Sequence, residues 1–265
     1  METCLTEEEY NKKISVIENK LKEYLVSNFD ISNSFIALKF KHTFETKKVN
    51  DLIIKSLNLS IRDAYISSII ALFHDYGRFS QIKNFNSLND LTTMDHADAS
   101  VEALFNNNEL DNFVSDLTDK EKEIVKLAIK YHNKYCIEPT FSEEQKLFCN
   151  IIRDADKIDI YRVLSEDPKL SGLKKGKLEQ EELDNFYSHK LYKRKEEMNF
   201  YSHVLLHISF VFDLNFKVSY KILEETSNLK KYVYTVLLFA NFKIDKKLLD
   251  CFEYIEKFLK ENANK

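Results

Sequence analysis

Apolar residues recur every three or four positions through FIALKFKHTFETKKVNDLIIKSL (35–57) and DKEKEIVKLAIKYH (119–132). That is the period of a helix with one face turned to a core. Start signals agree with it. Ser60 precedes IRDAYISSIIALF, Thr118 has Glu121 three residues on in a capping-box arrangement, and Ser142 leads into EEQKLFCNIIRDADKIDIYRVL. Helices are therefore predicted at about 35–57, 60–75, 97–106, 119–133 and 143–165. After Asp167-Pro168 the pattern lapses into the polar LSGLKKGKLEQEELDNF, an expected excursion or loop over about 168–200. Beyond it, EMNFYSHVLLHISFVFDLNFKVSYKIL and LLDCFEYIEKFLKEN read as two further amphipathic helical stretches, over about 196–262.

The fold class expected from this is all-α. Three glycines and two prolines in 265 residues leave few places to break a helix. No internal repeat or low-complexity tract stands out, and one domain, 1–265, is expected, with the C-terminal helices packed on the first set.

Composition narrows the setting. With 44% hydrophobic and 31% charged residues the chain has the makings of a globular core. The 39 basic and 43 acidic side chains are interspersed, for a net charge of -4, so no broad cationic face is offered to a polymeric nucleic acid. A small anionic substrate needs only one or two local cations and a metal. The start, METCLTEEEYNKK, has neither a basic n-region nor an apolar h-region, so no secretory signal is expected. The longest nearly uncharged apolar run, AYISSIIALF, is about half the length of a membrane-spanning helix. Cys4, Cys136, Cys149 and Cys251 form no C-x-x-C pair, which predicts buried free thiols and a reducing, cytoplasmic setting without a membrane.

Chemistry is suggested by ALFHDYGRFSQ (71–81), where His74 and Asp75 stand together at the end of an apolar helical run. Two ionisable groups there must be stabilised, or else cost several kcal/mol on burial. Asp95-His96 repeats the question, and RDADKID (153–159) sets three acids among isoleucines. Taken singly, His42 and His132 read as ordinary core or surface histidines. Taken together, the histidines and aspartates could hold two metals with a shared carboxylate, because imidazole and carboxylate suit first-row divalent ions and helices aim them inward.

The order His42, His74-Asp75, His96, His132, then an aspartate in Ala155-Asp156-Lys157, resembles the HD-domain superfamily of metal-dependent phosphohydrolases. H-D-Y-G-R-F looks like that family's H-D-x-G-[KR] segment. The resemblance covers about residues 35–165. It implies a compact multi-helix HD-domain fold in which His42, His74, Asp75 and Asp156 form the basic metal site and His96 and His132 mark the dinuclear branches. Asp154 and Asp156, two apart, cannot both face one ion from a regular helix; the family's Ala-Asp pair selects Asp156. Iron or manganese would come first as the pair of ions, then zinc, cobalt or nickel.

On this reading Asp75 bridges the ions and Arg78 grips a phosphate oxygen with its planar fork, although it could instead cap the preceding helix. Gly77 is expected to end that helix in a left-handed conformation. Asp95 either orients His96 or moves a proton to a leaving group, or is simply the N-cap of the next helix. Asp159 and Arg162 are expected to form an outward ion pair, and Asp98 to be a solvated first-turn acid. His203 and His207 have metal-like i, i+4 spacing but lack the Glu of H-E-x-x-H, so a packing face is the better account. The 14 tyrosines and 20 phenylalanines are expected in the core.

Three functions follow. The first is hydrolysis of a phosphate ester or anhydride in a nucleotide or other small phosphorylated molecule. The second is the oxygen chemistry of mixed-valent di-iron enzymes that share this ligand set. The third is a metal-binding regulatory role without turnover. The chain lacks the Gly-Tyr-Pro signature associated with cyclic di-GMP hydrolysis.

Overall fold

The computed structural model describes residues 6–195 and 197–264, and among them no strand occurs. The fold is all-α, as the periodicity implies. The chain divides into two compact units, Met1–Ala155 and Asp156–Lys265.

The first unit holds α1 (Glu7–Asn28), α2 (Ser34–Ser56), α3 (Ile61–Phe73), α4 (Tyr76–Phe85), α5 (His96–Val101), α6 (Asp119–Tyr131) and the start of α7 (Glu143–Glu166). The sequence signals mark their starts. Ser60 accepts from the Asp63 N–H, Thr118 and Glu121 form a reciprocal capping box, and Ser142 and Gln145 cap one another's backbone. Each cap satisfies backbone donors that a helix start leaves over.

α3 is the hub. It is buried continuously from Tyr65 to Phe73 and packs against α1, α2 and α6. A helix apolar all round has nowhere to go but the interior. α1 lays Ile14, Ile17, Leu21 and Leu25 into the core, a three- and four-residue stripe. α5 continues through a widened turn at Glu102–Asn106, which together cover the predicted 97–106 helix.

One expectation fails here. Gly77 does not end a helix in the left-handed region; it lies in the first turn of α4, and α3 has already stopped at Phe73. Asn86, at φ 47°, provides the left-handed stop one helix later, its N–H bonded to the Ile82 carbonyl. Gly77 is small for another reason. A Cβ there would sit 2.3 Å from the His96 carbonyl oxygen and 2.6 Å from the Ser100 nitrogen, so α4 and α5 meet backbone to backbone.

The second unit contains the rest of α7, then α8 (Gln180–Tyr187), α9 (Phe200–Ile208), α10 (Lys217–Thr226), α11 (Asn228–Phe239) and α12 (Lys246–Asn264). The polar 168–200 stretch is thus partly helical. Within it Glu182 accepts from Tyr192 and, at 2.6 Å, from the Ser202 hydroxyl. The first long C-terminal stretch is two helices, because the chain tightens at Ser209–Asp213 and then extends at Leu214 and Phe216. α10 packs on α11 and α12, while α9 touches α8 and α12.

Asp159 and Arg162 do pair, at 2.6 and 2.8 Å, but Asp159 is buried rather than outward. His203 and His207 meet edge to face, 4.3 Å between ring centroids, as expected of a packing face. Among the cysteines, Cys149 and Cys251 are buried, whereas Cys136 is exposed, contrary to expectation, because it lies in the irregular segment between α6 and α7. Cys4 falls outside the described residues. Among the described residues no helix is long and apolar enough to cross a membrane.

Candidate metal centre

Three helix ends and the middle of one helix converge on Asp75. His42 projects from the buried face of α2, with Thr43, Thr46 and Asn50. His74 is the C-cap of α3 and His132 the C-cap of α6, while His96 is the first residue of α5. Asp75 lies between α3 and α4 at φ -101°, ψ 17°. All five are essentially buried.

The carboxylate of Asp75 serves two histidine pairs. Its Oδ2 is 3.5 Å from His42 Nε2 and 3.7 Å from His74 Nε2. Its Oδ1 is 3.2 Å from His96 Nε2 and 3.7 Å from His132 Nε2. Both triads, His42–His74–Asp75 and Asp75–His96–His132, bring ligand atoms close enough to share an ion.

The far nitrogens explain why Nε2 points inward. At a helix C-terminus the last carbonyls lack intrahelical partners. His74 Nδ1 donates to the Ala71 carbonyl at 2.8 Å, and His132 Nδ1 to the Ile129 carbonyl at 2.6 Å. His96 Nδ1 donates to Asp90 Oδ2 at 2.6 Å, and His42 Nδ1 is 3.4 Å from the Thr46 hydroxyl. Protons held on the Nδ1 side leave lone pairs on Nε2, the tautomer a metal requires.

His96 and His132 supply the test of fit, for their Nε2 atoms lie 3.0 Å apart. Two neutral imidazoles so disposed set lone pair against lone pair, which a shared cation relieves. Nitrogens bound to one ion at about 2.1 Å and roughly a right angle to each other are separated by about 3 Å. The donor set of imidazole and carboxylate fits a first-row divalent ion.

Burial alone would raise the Asp75 pKa. The Lys39 ammonium, 2.6 Å from Oδ2, instead holds it well below the usual carboxylate range. Asp75 is thus an anion in the core. Lys39, one turn before His42 on α2, was not among the residues singled out from the sequence, although its i, i+3 relation to His42 was available as a signal.

Asp90 was missed too, and no local signal marks it among the acids and amides of NSLNDLTTMD. It takes the orienting role expected of Asp95, with its Oδ2 2.6 Å from His96 Nδ1. Burial opposes ionisation of Asp90, but the hydrogen bond from His96, with the Arg78 charge and the Gln81 amide, pushes its pKa down. Asp95 instead caps α5 by accepting from the Ala97 and Asp98 N–H groups, with Lys134 Nζ 2.6 Å from its other oxygen. Asp98 is exposed, as expected.

Arg78 neither caps α3 nor reaches out. Its Nη1 donates to Gln81, to the Leu88 carbonyl and to Asp90, and its Nε is 3.6 Å from Asp75 Oδ1. Asp156, the last expected ligand, is half-buried on α7 as the first residue of the second unit, and Asp154 in the first unit is fully buried.

Residues 40–161 match the family model described as HD domain, a span running from just before His42 to just beyond Asp156. No curated protein and no solved structure matches the chain.

Proposed function

Since residues 40–161 are an HD domain, we propose that the chain is a metal-dependent phosphohydrolase that cleaves a phosphate ester or anhydride in a nucleotide or other small phosphorylated molecule. The observation that carries this is the division of Asp75 between two histidine pairs, one at each carboxylate oxygen. His42 and His74 would hold one divalent ion, His96 and His132 a second, with Asp75 shared. Asp156 is taken as the last ligand on the order of residues. Iron or manganese is the preferred pair, with zinc, cobalt or nickel as substitutes.

When bound, two such ions polarise a phosphoryl group and acidify the water that attacks it. The chain's own part is orientation and charge. Four neutral imidazoles add no negative charge, so the ions keep a net positive charge for an anionic substrate. Asp75 stays ionised because the Lys39 ammonium favours its charged form. The Nδ1 hydrogen bonds fix each ring so that little reorganisation is needed when a phosphate arrives.

The test is phosphate release from a panel of nucleotides and simple phosphoesters, with metal content measured by elemental mass spectrometry on the same anaerobic preparation. Close to two ions per chain and metal-dependent phosphate release are expected, with both lost in Asp75→Asn. Trace metal after reconstitution with Mn, Fe or Zn, or dioxygen uptake with no phosphate released from any substrate, overturns the proposal.

A further inference from the structure

Arg78 is the cation that the order of residues places next to a phosphate, yet the Nη1 of its guanidinium is engaged elsewhere. The side chain is only 11% exposed. Nη1 is 2.5 Å from Asp90 Oδ1, 2.7 Å from Gln81 Oε1 and 2.9 Å from the Leu88 carbonyl oxygen. Gln81, itself fully buried, returns its amide to Asp90 Oδ1 at 2.9 Å, to the Thr93 hydroxyl and to the Met94 carbonyl. The stretch from Leu88 to Met94, between α4 and α5, is thereby tied to α4.

With Oδ1 of Asp90 occupied, Oδ2 is left for His96 Nδ1 at 2.6 Å. The contacts close into a ring: Arg78 to Asp90, Asp90 to His96, His96 Nε2 to Asp75 at 3.2 Å, and Asp75 back to Arg78 Nε at 3.6 Å. The two histidine pairs therefore have different supports. His74 and His132 lean on carbonyls of their own helices, which come with the backbone, and His42 on a hydroxyl. His96 leans on a carboxylate carried by a loop and held there by an arginine. His96 is the first residue of α5, so its Nδ1 has no preceding turn of its own helix to lean on.

We propose that Arg78 and Asp90 are positioning residues for the His96–His132 pair: Arg78 holds Asp90, Asp90 holds the His96 ring, and this brace sets how tightly that pair takes its divalent ion. The proposal deepens the two-ion reading above and rests on it. A carboxylate hydrogen-bonded to a ligating histidine fixes its tautomer and raises its basicity, and losing such a partner lowers metal affinity roughly 10- to 100-fold.

The experiment titrates the metal-stripped full chain with Co(II), following stoichiometry by calorimetry and ligand field by visible absorbance, for wild type, Asp90→Asn, Arg78→Gln, the double variant and Arg78→Lys. Wild type is expected to take two equivalents. Asp90→Asn and Arg78→Gln should each weaken one equivalent roughly 10- to 100-fold and leave the other unchanged. The double variant should be no worse than the poorer single, since both cut one chain of contacts.

Arg78→Lys keeps the charge beside Asp90 without the fork, and should recover part of the loss, which guards against a variant that merely folds badly. In turnover of a simple phosphoester, both single variants should lower kcat with KM little changed. Two tight equivalents in Asp90→Asn, or a raised KM in Arg78→Gln with none in Asp90→Asn, overturns the brace and returns Arg78 to the substrate. A wild-type chain that takes up no Co(II) overturns the two-ion reading instead, and with it this proposal.

Discussion

Replacing Gly77 with alanine tests whether α4 and α5 are set by backbone contact. In an exposed helix this change stabilises by up to about 1 kcal/mol, because alanine has less freedom to lose. Here the added Cβ would lie 2.3 Å from the His96 carbonyl oxygen, 2.6 Å from the Ser100 nitrogen and 2.9 Å from the Ala99 Cβ. Two of these are backbone atoms that cannot swing away. Ordinary contact requires the helices to part by roughly 1 Å.

That movement strains the Gly77 N–H bond to the Ser100 hydroxyl, now 2.7 Å, and the Ser100 bond to the His74 carbonyl. Overpacking of this kind costs about 1–3 kcal/mol, so the sign reverses. The residue displaced is His96, whose Nε2 stands 3.2 Å from Asp75 Oδ1. Metal bonds tolerate only about 0.2 Å of error, so on the proposed two-ion site the His96–His132 pair should lose its ion while His42 and His74 keep theirs. Thermal unfolding should fall by a few degrees to about 10 °C, with metal content dropping from near two to near one per chain by elemental mass spectrometry. An unchanged or raised Tm with both ions retained would refute the reasoning.

Acid should weaken the second unit through His203, whose pKa burial lowers from 6.5 to about 4. The unfolded chain then binds the proton first, so stability is whole above pH 6.5 and declines as pH falls towards 4, by at most about 3 kcal/mol for this group. Denaturant midpoints of His203→Leu should be flatter with pH over that window than those of wild type; equal slopes would contradict the assignment. Thiol reactivity should follow exposure. Cys136 is exposed, while burial pushes the Cys149 thiol up to about 12 and that of Cys251 up to about 11. Peptide mass spectrometry after brief alkylation should find Cys136 modified in native protein and the other two only after denaturation. Native labelling of Cys149 as fast as Cys136 would count against its burial.

What could be read along the chain was what is local in it. A capping serine or threonine, a three- and four-residue apolar stripe and a breaker all act within about one turn, so the starts at Ser60, Thr118 and Ser142 were legible, as was the all-helical class. The ordered histidines and the His74-Asp75 doublet were legible because the family match runs through them. The helix α4 was not, since Tyr76-Gly77 immediately after the doublet imitates a stop.

Tertiary structure decided the partnerships. Helix packing brings His96 and His132 within 3.0 Å across 36 positions of sequence, and no periodicity encodes which nitrogen faces which. It also gave His96 to Asp90 rather than to adjacent Asp95, because capping turns Asp95 back on the N–H groups of its own helix. Gly77 and Arg78 were conspicuous in the sequence for reasons the fold reassigned. The glycine answers the backbone of α5 instead of a turn, and the arginine answers Asp90. Both are settled by contacts between segments, which depend on where whole helices lie and not on the residues beside them.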